Sequence, residues 1–337
     1  MKNSILLVLF LAALATVPLA AQQRFQQTQT LVNQFVNNPA ATGYFENTDV
    51  KVGFRKQWLG IIDGPFTGIA SIQGRISNST TSASGKALAT RTRMYAMSRA
   101  RQVVASSKPK GFHGIGGYIL VDRTGPTGTT AGYFNYAYHI PIQGQTYLSL
   151  GASAGLLQYR LDPSKLNYLD NGLGTGTTSD PNLDISLGAM LYGKMGFIGY
   201  AAHQLLQNKL DLFQNNGLTQ PNLALSHSLS GGLNFAISPI VSLVPFATAR
   251  LIGGAPASVD GGLRVNYKDF LWIGGSYRNE DAISGMLGVR LSDALNFSYS
   301  YDYTTSSLKA ASNGSHELVL GLRIGQIKND SKTKLFW

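Results

Sequence analysis

Few residues of this chain are placed to do chemistry. The sharpest candidate is SHSLSGG at 226–232, where a histidine sits beside serines, the residue types of a nucleophile and its base. Proton transfer between them needs both on one side of the backbone. Side chains of a strand alternate between faces, so His227 points away from Ser228 and, three residues on, from Ser230. An outer-membrane lipase of the Ser–His type is therefore not expected. The five histidines, at 113, 139, 203, 227 and 316, show no metal-ligand spacing, and the absence of cysteine removes thiolate sites and disulfides. The sequence predicts no catalytic residue, no metal and no cofactor.

Charge is the other possible instrument. Residues 78–111 carry Lys86, Arg91, Arg93, Arg99, Arg101, Lys108 and Lys110 with no acid, much of the formal net charge of +11. Such a cluster makes a positive field that decays over about 8 Å at physiological salt. It suits an acidic partner or anionic headgroups, with Arg91, Arg93, Arg99 and Arg101 as candidate contacts; a solvated loop is the plainer reading. Further on, Arg250, Arg264, Arg278, Arg290 and Arg323 share one strand phase with Asp260, Asp302 and Glu317. If that phase faces an enclosed space, cross-strand ion pairs are expected.

The elements that hold these residues are strands. Charged residues make up only 13% of the 337 residues, against about 25% in ordinary soluble domains. The deficit is filled by 38 Gly, 16 Tyr and small polar residues rather than by leucine, unlike a helical membrane protein. In Tyr147–Tyr159, Leu148, Leu150, Ala152, Ala154 and Leu156 oppose Ser149, Gly151, Ser153 and Gly155. Around 294–303, Leu295, Phe297, Tyr299, Tyr301 and Tyr303 oppose Asn296, Ser298, Ser300 and Asp302. About fourteen such segments follow one another past residue 49, and short connections alternate with long ones. A soluble sandwich would set Lys, Glu and Asp on its wet face; here that face carries Gly, Ser and Asn. The pattern predicts an all-β, single-chain antiparallel barrel of the outer membrane, lipid outside and a polar lumen inside, with short periplasmic turns and longer external loops.

The N-terminus fits that destination. MKNSILLVLFLAALATVPLAAQQ has a basic start, an apolar run and small residues before a polar stretch, the form of a secretory signal. The expected organisation is a signal peptide over 1–21, a periplasmic N-terminal segment over 22–48, the barrel over 49–326 and a periplasmic tail over 327–337. A lumen of about fourteen strands exceeds what side chains alone fill, so a loop or the segment 22–48 is expected to help close it. Nucleic acid is not an expected partner of an exported barrel.

Several motifs carry a family resemblance: NNPAATG, FRKQWLGIIDGP at 54–65, GGYILVDRTGP at 116–126, YAYHIPI at 136–142 and SYDYTTSSLKAASNGSHELVLGLR at 300–323. Together they resemble the PorP/SprF family of the type IX secretion system. The resemblance implies an outer-membrane barrel tied to secretion and, in some bacteria, to gliding. Its implied partners are periplasmic lipoproteins, a peptidoglycan-binding protein, or secreted proteins with a type IX C-terminal domain held at the surface. Candidate partner contacts are Asn38 and Pro39 of the first motif, Arg55, Gln57 and Trp58 of the second, and Gly314, Ser315, His316 and Glu317 of the last. Trp58 is more readily an interfacial anchor than a recognition contact, and His316 with Glu317 more readily a clasp between loop and wall. A diffusion porin remains the alternative that the barrel pattern alone would allow.

Overall fold

The computed structural model describes residues 25–76, 110–165, 178–209, 222–268 and 270–325. Its wall consists of β1 (Thr48–Lys56), β2 (Phe66–Ile76), β3 (Phe112–Thr124), β4 (Thr127–Gln143), β5 (Thr146–Leu161), β6 (Thr178–Tyr192) and β7 (Gly196–His203). It continues through β8 (Ser226–Leu233), β9 (Phe235–Ser238), β10 (Val241–Ile252), β11 (Ser258–Tyr267), β12 (Leu271–Arg278), β13 (Ala282–Arg290), β14 (Leu295–Thr304) and β15 (Ser315–Ile324). β8 and β9 pair with the same neighbour, β10, on either side of Asn234, so these 15 segments make fourteen staves. β1 pairs antiparallel with β15, from Thr48↔Ile324 to Lys56↔His316, and the ring closes with no free edge. Closure pairs the backbone groups of the wall between neighbours, which a lipid-facing sheet requires.

Alternation assigns the two faces as expected. Leu318, Leu320, Leu322 and Ile324 turn outward on β15, while Glu317, Val319, Gly321 and Arg323 are buried inside. Leu150, Leu156, Ile119 and Phe134 stand among the exposed large apolar residues of the outer face, which in water would be a severe liability and in lipid is the spanning band. No helix among the described residues is long and apolar enough to cross a membrane. The stave expected at 184–193 starts earlier, because Thr178–Leu183 pairs with Leu156–Leu161 beyond the apolar band. That extension carries no apolar alternation, so periodicity could not reveal it. At one rim, β4–β5, β6–β7 and β11–β12 join through short turns; at the other lie the segments 57–65, 162–177, 204–225 and 305–314. The latter rim is external.

The N-terminal segment departs from one expectation and meets another. Residues 22–48 were expected as a periplasmic segment and also as a candidate to help close the lumen; from Phe25 onward the chain runs inside the wall. Phe25 lies near Gln57, Pro65, Thr124 and Thr127 at the external rim, and the chain descends through a single-turn helix α1 (Gln34–Asn37) and a 3-10 turn at Pro39–Ala41 before entering β1. Its Leu31, Val32, Phe35, Val36, Tyr44 and Phe45 join the inward Tyr118, Met190, Tyr192, Phe197 and Val319 in one hydrophobic cluster. The core of this membrane protein is thus within its lumen. The physical cause is the width of fourteen staves, which leaves apolar side chains such as Phe35 a dry place that neither periplasm nor lipid headgroups offer.

Two outcomes check this frame. Leu320→Arg should lose roughly 2–4 kcal/mol of insertion stability and its heat-modifiable gel mobility, whereas Leu320→Phe should keep both; equal assembly of the two would reverse the face assignment. Because the native chain has no cysteine, Ser312→Cys should react with an impermeant maleimide on whole cells, and Asp293→Cys only after the outer membrane is opened. The opposite labelling would invert the barrel.

Candidate functional site

Near the external end of the lumen, one threonine joins the inner segment to the wall. The Thr28 hydroxyl donates to Asp302 Oδ2 at 2.7 Å and accepts from Arg55 Nη1 at 2.6 Å and from Arg278 Nη2 at 3.4 Å. One donated and two accepted bonds exhaust a hydroxyl. The Glu317 carboxylate accepts from the backbone N–H groups of Thr28 at 2.8 Å and Gln29 at 3.1 Å. Arg55 spans both acids, 2.7 Å from Asp302 and 3.1 Å from Glu317, and Arg278 is 3.3 Å from Asp260 and 2.9 Å from Asp281. Arg278–Asp260 is a cross-strand pair of the kind expected of the lumen charges, whereas Asp302 and Glu317 pair with Arg55, expected as a partner contact, and the N-terminal segment adds Thr28 to the group. Arg55, Asp302, Glu317, Arg278 and Asp260 are all buried, so each charge depends on its partner to remain there.

The middle of the segment is seated by glycine and amide chemistry. Asn38 caps the Pro39–Ala41 turn by accepting from Ala40 N–H at 2.9 Å, and its Nδ2 donates to the Ala189 and Tyr200 carbonyls at 3.3 Å each. A Cβ on Gly188 would strike Asn38 Oδ1, and one on Gly151 would strike Pro39 and Ala40. Ser149 donates to the Ala40 carbonyl at 2.7 Å. The small residues on this face therefore leave a shaped seat for NNPAA. Lower down, His139 Nε2–H donates to the Thr42 carbonyl at 2.8 Å, which leaves Nδ1 to accept from the Tyr192 hydroxyl at 2.7 Å. Phe112 stacks on the His139 ring at 4.2 Å. At the periplasmic end Gly43 N–H donates to Gln73 at 3.0 Å, and Lys51 and Arg323 lie over the Phe45 ring.

The external rim above the clasp is built from two family-motif loops. Leu59 N–H donates to the Gly314 carbonyl at 2.8 Å and Asn313 N–H to the Leu59 carbonyl at 2.6 Å. Trp58, at φ 49°, donates its N–H to Ser315 Oγ at 3.1 Å. Gly314 has φ 92°, and a side chain there would press on the Asp302 carbonyl and the Tyr301 ring. Ile62 at the loop tip is 92% exposed.

The sequence-derived candidates separate accordingly. Asn38, Pro39, Arg55 and Glu317 all lie inside the lumen, the first two in the chain's own inner segment and the last two in the wall that holds it, and are buried. Gln57, Trp58, Gly314 and Ser315 belong to the rim. His316 turns to the outer face, where its Nδ1 faces the Tyr299 hydroxyl at 2.6 Å. His227 likewise pairs with Tyr200 outside at 2.7 Å, while Ser228 lies inside, 3.5 Å from the Asn37 carbonyl. The His–Ser pair is thus split across the wall. Arg91, Arg93, Arg99 and Arg101 lie outside the described residues, as do 1–21 and 327–337. Sequence reasoning missed Thr28, Gln29 and the Gly151–Gly188 seat. The strand number signalled that something else must help fill that space, and the accumulation of glycine on the inward phase is the local trace of where it sits. No group of three or more His, Asp or Glu among the described residues could hold a metal.

Residues 19–322 match the family model of the type IX secretion system membrane protein PorP/SprF. No curated protein sequence matches the chain. Among solved structures, Omp33 of Acinetobacter baumannii aligns at 10% identity and TM-score 0.43, over 84% of this chain and 100% of its own. A Pseudomonas aeruginosa FadL homologue aligns at 10% and 0.46, over 85% and 92%. The translocator domain of the Neisseria meningitidis autotransporter NalP aligns at 12% and 0.43, over 84% and 89%.

Arg55→Ala leaves two buried carboxylates without their shared cation, a loss of about 3–5 kcal/mol. The expected result is an N-terminal segment that becomes protease-sensitive in purified protein while the wall keeps its heat-modifiable mobility. Gly188→Val should do the same by steric exclusion. Unchanged protection in both would mean the segment is not held by these contacts.

Proposed function

The chain belongs to the PorP/SprF family of type IX secretion system membrane proteins, and from that premise we propose a non-enzymatic anchoring barrel. It holds secreted proteins with a type IX C-terminal domain at the cell surface, or links the outer membrane to periplasmic lipoproteins, a peptidoglycan-binding protein and gliding components. Residues 1–21 direct its export. The observation that supports anchoring over conduction is the occupied lumen. A diffusion porin needs a continuous aqueous path; among the described residues, two spaces beside the segment deeper in the wall hold about 20 and 10 Å³, about room for one water each.

The outer rim is the better working surface. The 57–65 and 305–314 loops support each other by paired backbone bonds and raise an apolar tip at Ile62 above the membrane. An apolar projection at this rim is a suitable centre for a protein contact. Partners on the periplasmic side would meet the basic 78–111 segment.

Purified protein in planar bilayers should give no large steady single-channel steps. A photo-crosslinker attached at Ser312→Cys should capture a secreted protein from native outer membranes, and loss of the chain should shift that protein into the medium. Steady conductance without a captured partner would favour a porin and sink the anchoring reading.

A further inference from the structure

The outward face of the wall carries a row of charge that neither the lumen nor the rim loops call for. Strand pairing places six outward residues side by side across consecutive staves near the external rim: His316 on β15, Lys56 on β1, Phe66 on β2, Arg123 on β3, Gly128 on β4 and Arg160 on β5. Their chain neighbours Glu317, Arg55, Thr67 and Leu161 are buried inside, whereas Arg123 and Arg160 are exposed. Lys56, Arg123 and Arg160 therefore recur on every second stave, about 10 Å apart. No acid shares the row. Among the described residues neither arginine enters an ion pair, and the Lys56 ammonium gives one hydrogen to the Gly64 carbonyl at 2.7 Å, which leaves two. Between the arginines Gly128 leaves open room, since a Cβ there would meet only the Asp122 carbonyl at 3.7 Å. The other side of the barrel differs: the outward residues at the external ends of β10, β11, β12 and β13 are Leu251, Val259, Tyr277 and Ile283, all exposed and none charged.

The row is not level. Staves of such barrels tilt by about 35–45°, so a row square to them climbs as it passes round the wall, by roughly 10–15 Å over the four steps from β1 to β5. Its rise is visible in the stave lengths: Lys56 stands eight residues from Thr48 at the periplasmic end of β1, and Arg160 fourteen from Thr146 at that of β5. Lys56 thus lies just above the apolar band at Phe54, and Arg160 on the extension beyond it. Phospholipid headgroups offer their phosphates in one layer. A glycolipid whose phosphates and carboxylates are carried on sugars offers anions at several heights, with acyl chains below. Guanidinium forks pair with such oxyanions through two hydrogen bonds at once, and each cation at an anionic membrane surface adds to the attraction. We infer that this arc docks an anionic glycolipid of the outer leaflet, its acyl chains against the band that includes Phe54, Ile119 and Phe134 and its anionic groups on Lys56, Arg123 and Arg160. The surface does not depend on the anchoring reading.

The probe is a deep-rough lipopolysaccharide, with phosphatidylglycerol as the single-layer anion, titrated into folded protein in detergent and counted by native mass spectrometry. The native chain should retain the lipopolysaccharide in preference to phosphatidylglycerol, and Arg123→Gln/Arg160→Gln should bind it roughly tenfold or more weakly. Lys194→Gln/Lys268→Gln removes the same charge from two periplasmic turns and should bind as the native chain does. Equal weakening by the two double variants would reduce the effect to net charge, and equal affinity for phosphatidylglycerol would mean that the row reads phosphate alone. Either result overturns the inference, as does a native chain that binds no lipopolysaccharide. If Arg123→Gln/Arg160→Gln loses its heat-modifiable mobility, the two single substitutions provide the comparison, each expected to weaken binding in the same direction.

Discussion

A ring of fourteen staves is too wide for its inward side chains to fill and too narrow to be left as a large open channel, since about eight staves give a filled interior and 16–18 an aqueous one. The rest of the molecule follows from that width. The chain fills the gap with its own N-terminal segment, which brings Phe35, Val36, Tyr44 and Phe45 into the lumen and gives a membrane protein a soluble-type core. Filling the lumen with backbone then creates a second demand. Peptide groups removed from water must find partners, and a segment with only one helical turn cannot satisfy itself.

The wall answers with side chains. Glu317 accepts the N–H groups of Thr28 and Gln29, Ser149 and His139 donate to the carbonyls of Ala40 and Thr42, and Asn135 donates to that of Phe35. The charges follow the same logic. Arg55, Asp302 and Glu317 come from three adjacent staves, β1, β14 and β15, and the one guanidinium pairs with both carboxylates where none of the three could be buried alone. Such pairs add little net stability compared with apolar packing, but they tolerate only one arrangement of partners. They set the register of the segment against the wall.

This clasp also lies next to the external surface. Arg55 precedes the 57–65 loop by two residues, and Glu317 follows Gly314 by three. The two loops bond to each other through Leu59, Asn313 and Gly314. The same short stretches therefore anchor the lumen segment below and shape the rim above, which accounts for the density of family-motif residues in them. A protein contact at the rim would rest on a support that is braced from inside.

The sequence by itself determined the wall. Strand period, stave number and the lipid and lumen phases are local properties, because a two-residue repeat records which side of a sheet meets hydrocarbon; Leu320 against Val319 is legible from the chain alone. It also marked the lumen charges as needing partners. That something must help fill the lumen, a loop or the segment 22–48, followed from the strand number; which of the two does so, and by which contacts, was decided only by tertiary structure. The contacts of Thr28 with Asp302 and Glu317 join residues 274 and 289 apart, and a distance of that kind leaves no periodicity to read. The segment 22–48 lies before the first strand and was assigned to the periplasm as well as being a candidate filler, and its apolar residues are buried by an enclosure that exists only once fourteen staves have closed. Asn38, Arg55 and Glu317 were recognisable as important from their motifs. That they face inward, to hold the chain against itself, follows from the closed ring and from the cost of leaving a buried charge or peptide group unpaired.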